Sequence, residues 1–228
     1  MGIGEKIKVY LNKEDYNGLN TMLQHFSKSE LRRAERVVRE DILVEMDNTN
    51  FWKTFRFFVM FRPQGYLPCI SSIKHLAENG SLDFNNEDVV AISENLSHQN
   101  IAKLVGMAIP CLKSEKQITN LFNAFQFHDD SACASILIRQ NSPLCYYMLF
   151  TTLKRHSDRI LCLKCFDYLL KQNTDTAYNM ASILRAYFGL HEREGHLSLK
   201  IEAYEISYLD QSAENFYYML EGKRPMVR

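Results

Sequence analysis

The sequence predicts an all-α protein built from stacked helical hairpins, and three observations lead to this fold class. Apolar residues recur at the i, i+3, i+4, i+7 spacing of an amphipathic helix in almost every segment between Lys13 and Phe188. Glycine and proline are scarce, with 9 and 5 among 228 residues, which disfavours the many tight turns of an all-β fold. Short breaks that contain helix-capping residues separate the segments, so each segment is predicted to be one helix.

The N-terminal segment, residues 1–80, carries four predicted helices. Their apolar stripes cover residues 16–26, 31–46, 50–62 and 66–79. The sequence Ser27-Lys-Ser-Glu30 has the form of a capping box and predicts the start of the second helix. Pro63 ends the third helix, because a proline disfavours helical geometry in the residue before it. Asn79-Gly80 is a typical helix stop, and the loop 81–85 behind it is the clearest internal break.

Residues 86–188 are the most regular part of the sequence. Cap positions recur there near residues 97, 114, 129, 142, 157 and 174. This spacing predicts helices of about 13 to 17 residues and helix pairs of about 30 residues, as in stacked helical hairpins. The segment from Leu144 to Phe150 is apolar almost all round and is expected to lie centrally. The architecture resembles HEAT-like or armadillo-like stacking, which implies an α-α superhelix, and the alternative is an irregular helical bundle.

The C-terminal segment, residues 190–228, is acidic. Seven acids and two bases lie between Leu190 and Glu221, as expected of a polar cap that closes a helical solenoid. Residues 197–204 alternate between apolar and polar, but their Glu, Lys and Ala favour a helix, so strand and helix both stay open. A last short helix is predicted around residues 213–220. The whole chain is expected to form a single domain of eleven or twelve helices.

Composition limits the partners and the compartment. Lys and Arg number 27 and Asp and Glu number 27, so no net field attracts nucleic acid or an acidic membrane. The sequence has no run of 18 apolar residues and no apolar leader in its first ten residues, which predicts a cytoplasmic protein without a membrane partner. The cysteines lie within apolar helical patterns and are interpreted as reduced core thiols. They are Cys69, Cys111, Cys133, Cys145, Cys162 and Cys165.

One string carries the residue types of a metal site, His191-Glu-Arg-Glu-Gly-His196. On an ideal helix its two histidines would lie about 140° apart. The string resembles the His-Glu-x-x-Gly-His motif of the dipeptidyl peptidase III family. That resemblance implies His191 and His196 as zinc ligands, Glu192 as the general base, and a downstream glutamate, Glu202 or Glu205, as the third ligand. The alternative interpretation is a charged loop.

The pair Cys162-Leu-Lys-Cys165 has the C-x-x-C spacing of zinc and redox sites. A zinc ribbon would need a second pair on a loop, and a thioredoxin-like site would need a βαβ context. Neither context is predicted here. The stripe shared with Phe166 and Leu169 favours two buried thiols instead.

Two helix faces are candidate interaction surfaces. A basic strip on the second predicted helix could follow a phosphate backbone, and it consists of Arg32, Arg33, Arg36 and Arg39. The glutamates interleaved with it favour an ion-paired, solvated face instead. The aromatic run on the third predicted helix, which contains Trp52, could bind a peptide or a base. The alternative for this run is the hydrophobic core.

No motif for nucleotide hydrolysis, dinucleotide binding or α/β-hydrolase chemistry occurs in the chain. The expected function is therefore a non-enzymatic helical scaffold that presents a groove to a protein partner, without a cofactor. One alternative is nucleic-acid binding through the basic strip and a tail of Lys223, Arg224 and Arg228. Another is a metal-dependent hydrolase that uses His191, Glu192 and His196.

Overall fold

The computed structural model describes residues 2–61, 70–127, 129–156, 158–190 and 201–224. Over these residues the protein is helical and has no strand, so the predicted all-α class is confirmed. Contacts within the chain cluster into two compact units, Met1–His128 (unit 1) and Asp129–Arg228 (unit 2). No helix within the described ranges is both long enough and apolar enough to cross a membrane.

Unit 1 contains eight α-helices in its described part. They are α1 Ile3–Asn12, α2 Tyr16–Gln24, α3 Lys28–Val37, α4 Asn48–Phe61, α5 Ile70–Glu78, α6 Glu87–Asn95, α7 His98–Ala108 and α8 Glu115–Ala124. Helix α3 continues through a π turn, Val38–Ile42, into a 3₁₀ turn, Leu43–Glu45. Helix α7 passes into a 3₁₀ turn, Ile109–Cys111, because Pro110 cannot donate the next helical hydrogen bond.

The core of unit 1 is aromatic and centres on Trp52. Its ring centroid lies 5.9 Å from that of Phe84 and 6.2 Å from that of Phe125. The indole Nε1–H donates to the carbonyl oxygen of Asp83 at 2.8 Å. The loop 81–85, predicted as the clearest internal break, is thus fixed to α4 by a buried ring and a hydrogen bond. The division between the units accordingly falls at residue 128 and not at this loop.

Unit 2 contains six α-helices in its described part. They are α9 Asp130–Arg139, α10 Pro143–His156, α11 Arg159–Leu170, α12 Asp175–Phe188, α13 Ala203–Leu209 and α14 Ala213–Leu220. Helix α10 is central, as its all-round apolar sequence predicts, and six of its side chains are buried. The Phe150 ring lies 4.9 Å from that of Tyr187 and 5.2 Å from that of Phe216, which joins α10 to α12 and α14.

Most predicted caps are confirmed by hydrogen bonds. Ser27 and Glu30 form the full capping box, since the Ser27 N–H donates to Glu30 Oε2 at 2.9 Å and the Glu30 N–H donates to Ser27 Oγ at 3.3 Å. The side chains of Asp129 and Thr174 accept from the first turns of α9 and α12. Ser142 Oγ likewise accepts the Cys145 N–H at the start of α10. These side chains satisfy backbone N–H groups that have no partner within the helix.

Several predicted details were wrong. Only one of the two hydrogen bonds of the capping box at Ser114 forms, the one from the Gln117 N–H to Ser114 Oγ. The Gln117 side chain accepts from the Lys113 N–H instead of the Ser114 N–H. Asp158 caps α11, whereas the predicted cap, Ser157, lies outside the described residues. Of the six described helices between residues 98 and 188, α10 and α12 have the expected length with 14 residues each, and the other four are shorter, with 10 to 12 residues. Helix α1 was not predicted; its Gly4 packs so closely that an added Cβ would lie 2.8 Å from Val37 Cγ1.

Candidate protein-interaction site

The predicted basic strip lies exposed on α3 and its π-turn continuation. Arg36 Nε lies 3.8 Å from Glu40 Oε2, and Arg39 Nη2 lies 2.9 Å from Glu40 Oε1. Between residues 28 and 45 five basic and five acidic side chains are interleaved, so this segment has no net charge. Such mixed i, i+4 pairs are typical of a solvated helix face and provide little attraction for a phosphate backbone.

Trp52 does not lie on a surface. Its side chain is fully buried, and its Nε1–H donates both to Asp83 and, at 3.1 Å, to Asn48 Oδ1. The prediction that Trp52 belongs to an interaction surface is corrected by this position. The aromatic run divides between two roles, because Phe51, Trp52, Phe55 and Phe58 face the core while Phe57 and Phe61 are half-exposed.

The thiols of Cys162 and Cys165 form no disulfide bond and are poorly reactive. Cys162 and Cys165 are buried on the inner side of α11, as the stripe predicts, and burial raises the pKa of Cys162 to about 11 and that of Cys165 to about 12. A thiolate is the nucleophile and the metal ligand, so these residues are protonated and inert near neutral pH.

The proposed metal string, with His191, Glu192 and His196, lies outside the described residues. Within the ranges that the structure describes, no three His, Cys, Asp or Glu side chains group to hold a metal ion. Of its two candidate third ligands, Glu205 is buried, with Oε1 3.9 Å from Arg224 Nε. In the basic tail, Lys223 pairs with Glu221 at 2.7 Å, and Arg228 is outside the described residues.

A concave surface lies on the outer side of α4, and we name it the α4 cleft. It has a volume of about 290 Å³. Its lining residues are Tyr16 of α2, Lys53, Arg56, Phe57 and Met60 of α4, and Asp88 of α6. The four α4 residues are spaced i, i+3, i+4 and i+7, so they form one stripe along the helix. The cleft therefore follows the face of α4 that points away from the aromatic core.

The aromatic and apolar side chains that line the α4 cleft are those of Tyr16, Phe57 and Met60, and we call them its apolar floor. The ring centroids of Tyr16 and Phe57 lie 5.4 Å apart, and Phe57 stacks on Phe61 at 6.2 Å with an interplanar angle of 15°. Met60 is 51% exposed although it is apolar. A solvated helix face normally carries polar residues, so the exposed Met60 and the half-exposed Phe57 are unusual there.

Two cations border this apolar floor. Lys53 Nζ lies 2.6 Å from Glu14 Oε2 and 5.6 Å from the centre of the Tyr16 ring. Arg56 Nη1 lies 3.0 Å from Asp88 Oδ1. The hydrogen bond that the Lys53 ammonium group donates to the Glu14 carboxylate raises the pKa of Lys53. Both ion pairs are partly exposed, so each is weak and its cation remains accessible to another carboxylate.

Two further concavities lie beside α1 and α2. One of about 390 Å³ is lined mainly by polar groups, among them Glu14, Glu45 and Asp47. The other, of about 430 Å³, also combines apolar side chains of one helix with two cations, because Lys6, Val9, Tyr10 and Lys13 follow α1 and its C-cap. The α4 cleft differs from it in a pair of contacting aromatic rings, those of Tyr16 and Phe57.

Sequence reasoning did not identify the six cleft residues as a group. The signal that was available is the stripe Lys53, Arg56, Phe57 and Met60, which is a second face with helical spacing. Tyr16 and Asp88 come from other helices, and their approach to α4 depends on tertiary packing.

Comparison with known proteins adds no relative. No protein family model, no curated protein and no solved structure matches the chain.

Proposed function

We propose that this protein is a non-enzymatic helical scaffold that binds a segment of another protein in the α4 cleft. The observation that carries the proposal is the stripe of α4 in which exposed Met60 and half-exposed Phe57 adjoin Tyr16 around a concave surface. Tyrosine, phenylalanine, methionine and arginine are enriched at protein interfaces, and tyrosine and arginine are also frequent energetic hot spots. The cleft combines these residue types.

The pattern of helix packing supports the proposed HEAT-like or armadillo-like stacking. In unit 1, α4 contacts α6, α6 contacts α8, and α5 contacts α7. In unit 2, α9 contacts α10 and α11, while α12 contacts α11, α10 and α14. In stacked helical hairpins, each helix typically contacts the helix two positions later in the chain, as α4 contacts α6 here. Stacked hairpins build extended surfaces for protein partners, which agrees with a scaffold.

The proposed occupant is a protein segment with one large apolar side chain followed or preceded by a carboxylate. The volume of about 290 Å³ lies just below the ~300–1,000 Å³ range of ligand pockets, so it suits one aromatic or branched side chain. Two cationic side chains, Lys53 and Arg56, lie beside that site and outnumber the single acidic residue of the lining, Asp88. A carboxylate of the segment would exchange with Glu14 or Asp88 at these cations.

The apolar contacts supply most of the binding energy in this proposal. Burying an aromatic or branched side chain contributes about 1.5–3 kcal/mol, whereas an exposed ion pair contributes about 0.2–1 kcal/mol. One such side chain and two ion pairs contribute at most about 5 kcal/mol, so a single anchored segment is expected to bind with a dissociation constant near the millimolar range. The cations fix the orientation of the segment and favour acidic partners.

Selection from a displayed library of random peptides tests the proposal. The expected result is enrichment of peptides with a large apolar residue near Asp or Glu. Their binding should fall about tenfold or more in Met60→Asp, because the introduced carboxylate repels the ligand's acid and disrupts the apolar floor. The matched control is Tyr204→Asp, a similar change at a side chain of unit 2 that is 54% exposed. Enrichment without a common motif, or binding equal in both variants, would contradict the proposal.

Nucleic-acid binding through α3 is the weaker alternative, favoured only by the exposure of four arginines. It predicts that a mixture of duplex and single strand binds at low ionic strength and dissociates steeply with salt. Because the segment 28–45 that carries the strip has no net charge, we expect no detectable binding. Salt-dependent binding that is lost in Arg32→Ala/Arg33→Ala would favour the alternative over the scaffold.

The remaining alternative is a metal-dependent hydrolase that uses His191, Glu192 and His196. It predicts stoichiometric zinc in the purified protein and its loss when both histidines are replaced by alanine. Metal analysis of the two proteins distinguishes this alternative from the scaffold.

A further inference from the structure

Helix α11 is apolar on both of its sides. Its inner side is buried and carries Leu161, Cys162, Cys165, Phe166 and Leu169, and the helix packs against α9 and α12. Its outer face is exposed and carries Ile160, Leu163, Lys164, Asp167, Tyr168 and Lys171. These outer positions are spaced i, i+3, i+4, i+7, i+8 and i+11, so they form one continuous stripe along the helix.

The outer stripe of α11 exposes three large hydrophobic side chains, whereas a solvated helix face normally carries polar residues. Ile160 is 68% exposed, Tyr168 44% and Leu163 40%, and together they are three of the seven large hydrophobic side chains most exposed among the described residues. Lys171 Nζ lies 5.5 Å from the centre of the Tyr168 ring and extends the apolar surface with its aliphatic stem. Apolar stripes of this kind mark interfaces.

The charges in the stripe indicate what covers it. Lys164 and Asp167 are both exposed, and neither forms an ion pair with another residue of the described ranges. They lie at equal distances from the midpoint between Cys165 and Phe166. In an antiparallel pair of α11 helices centred there, Lys164 of each copy comes level with Asp167 of the other. Leu163 then comes level with Tyr168, and Ile160 with Lys171.

We infer that the outer face of α11 pairs antiparallel with the same face of a second copy of this chain. A twofold interface must be complementary to itself, because each residue pair occurs twice in reversed roles. The α11 stripe meets this requirement, with opposite charges near its centre and an aliphatic side chain level with an aromatic one on either side. The inference rests on unit 2 alone and does not depend on the α4 cleft.

Sedimentation of the full chain over a concentration series up to about 1 mM tests the inference. The wild type should show a reversible monomer–dimer equilibrium. Lys164→Asp and Asp167→Lys should each raise the dimer dissociation constant about tenfold or more, because each change places like charges level with each other twice. The double exchange, Lys164→Asp with Asp167→Lys, restores opposite charges and should return the dissociation constant to near the wild-type value.

Two further variants separate the interface from the fold and from the α4 cleft. Leu163→Asp should leave a monomer with an unchanged circular dichroism spectrum, since residue 163 contacts solvent in the monomer. Met60→Asp, the variant that tests the α4 cleft, should dimerise like the wild type. The inference is overturned by a wild type that is monomeric throughout, by a dimer that withstands Leu163→Asp, or by single reversals that the double exchange does not rescue.

Discussion

Replacing Trp52 by phenylalanine tests the described core of unit 1. Phenylalanine lacks the indole nitrogen and two ring carbons. The lost hydrogen bonds of Nε1 to Asp83 and Asn48 should cost about 1 kcal/mol, and the two carbons about 1.6 kcal/mol at ~0.8 kcal/mol each. Incomplete collapse of the cavity adds to this sum, since the site contacts Phe84 and Phe125. We expect the free energy of unfolding to fall by about 3 kcal/mol.

Urea unfolding followed by far-ultraviolet circular dichroism measures this change. The midpoint should fall while the slope with denaturant stays the same, because the folded surface is unchanged. Phe57→Leu is the matched control on the same helix and should cost less than about 1 kcal/mol, as Phe57 is half-exposed. A loss below about 0.5 kcal/mol in Trp52→Phe would refute the buried, hydrogen-bonded indole.

Three further predictions concern caps, acid and thiols. Ser27→Ala should cost about 1 kcal/mol of unfolding free energy, measured with urea, because it removes the capping box of α3, and an unchanged midpoint would contradict that box. The hydrogen bond from the Asn50 N–H lowers the pKa of Asp47, so its stabilising contribution is present above the unfolded pKa and is lost as the pH falls through the lower folded value. In Asp47→Asn the asparagine still accepts the cap hydrogen bond but does not titrate, so the free energy of unfolding should fall less in acid than it does in the wild type. An unchanged dependence of that free energy on pH would count against this role of Asp47. Cys162 and Cys165 should react with a thiol reagent only after unfolding, as judged by peptide mass spectrometry, and rapid labelling of the native protein would contradict their burial.

The helices were predictable where sequence signals are local. Ser27, Asp129 and Thr174 each accept from an N–H group three residues away, so their residue types predict the caps without knowledge of the fold. Pro110 likewise ends α7 through its own missing N–H. Helix α1 was missed because only Ile7 of its ten residues is buried, and its position depends on contact with α3.

The candidate site was less predictable than the helices. The helical spacing around Trp52 shows that some aromatic residues share a face but not which face is buried, and Trp52 was therefore also offered as a surface residue. Its burial follows from Phe84 and Phe125, which lie more than 30 residues away in the sequence. The approach of Tyr16 and Asp88 to α4 is equally non-local. Local periodicity identifies stripes, and tertiary packing decides which stripe remains open.

Methyl nuclear magnetic resonance of methionine-labelled protein tests the proposed function most directly. The chain has nine methionines, of which Met60 lines the α4 cleft and Met180 is buried in unit 2. A selected peptide with a large apolar residue beside a carboxylate should shift the Met60 methyl signal in a saturable way and leave that of Met180 unchanged. Tight binding of the same peptide with no change at Met60 would contradict the α4 cleft as the site.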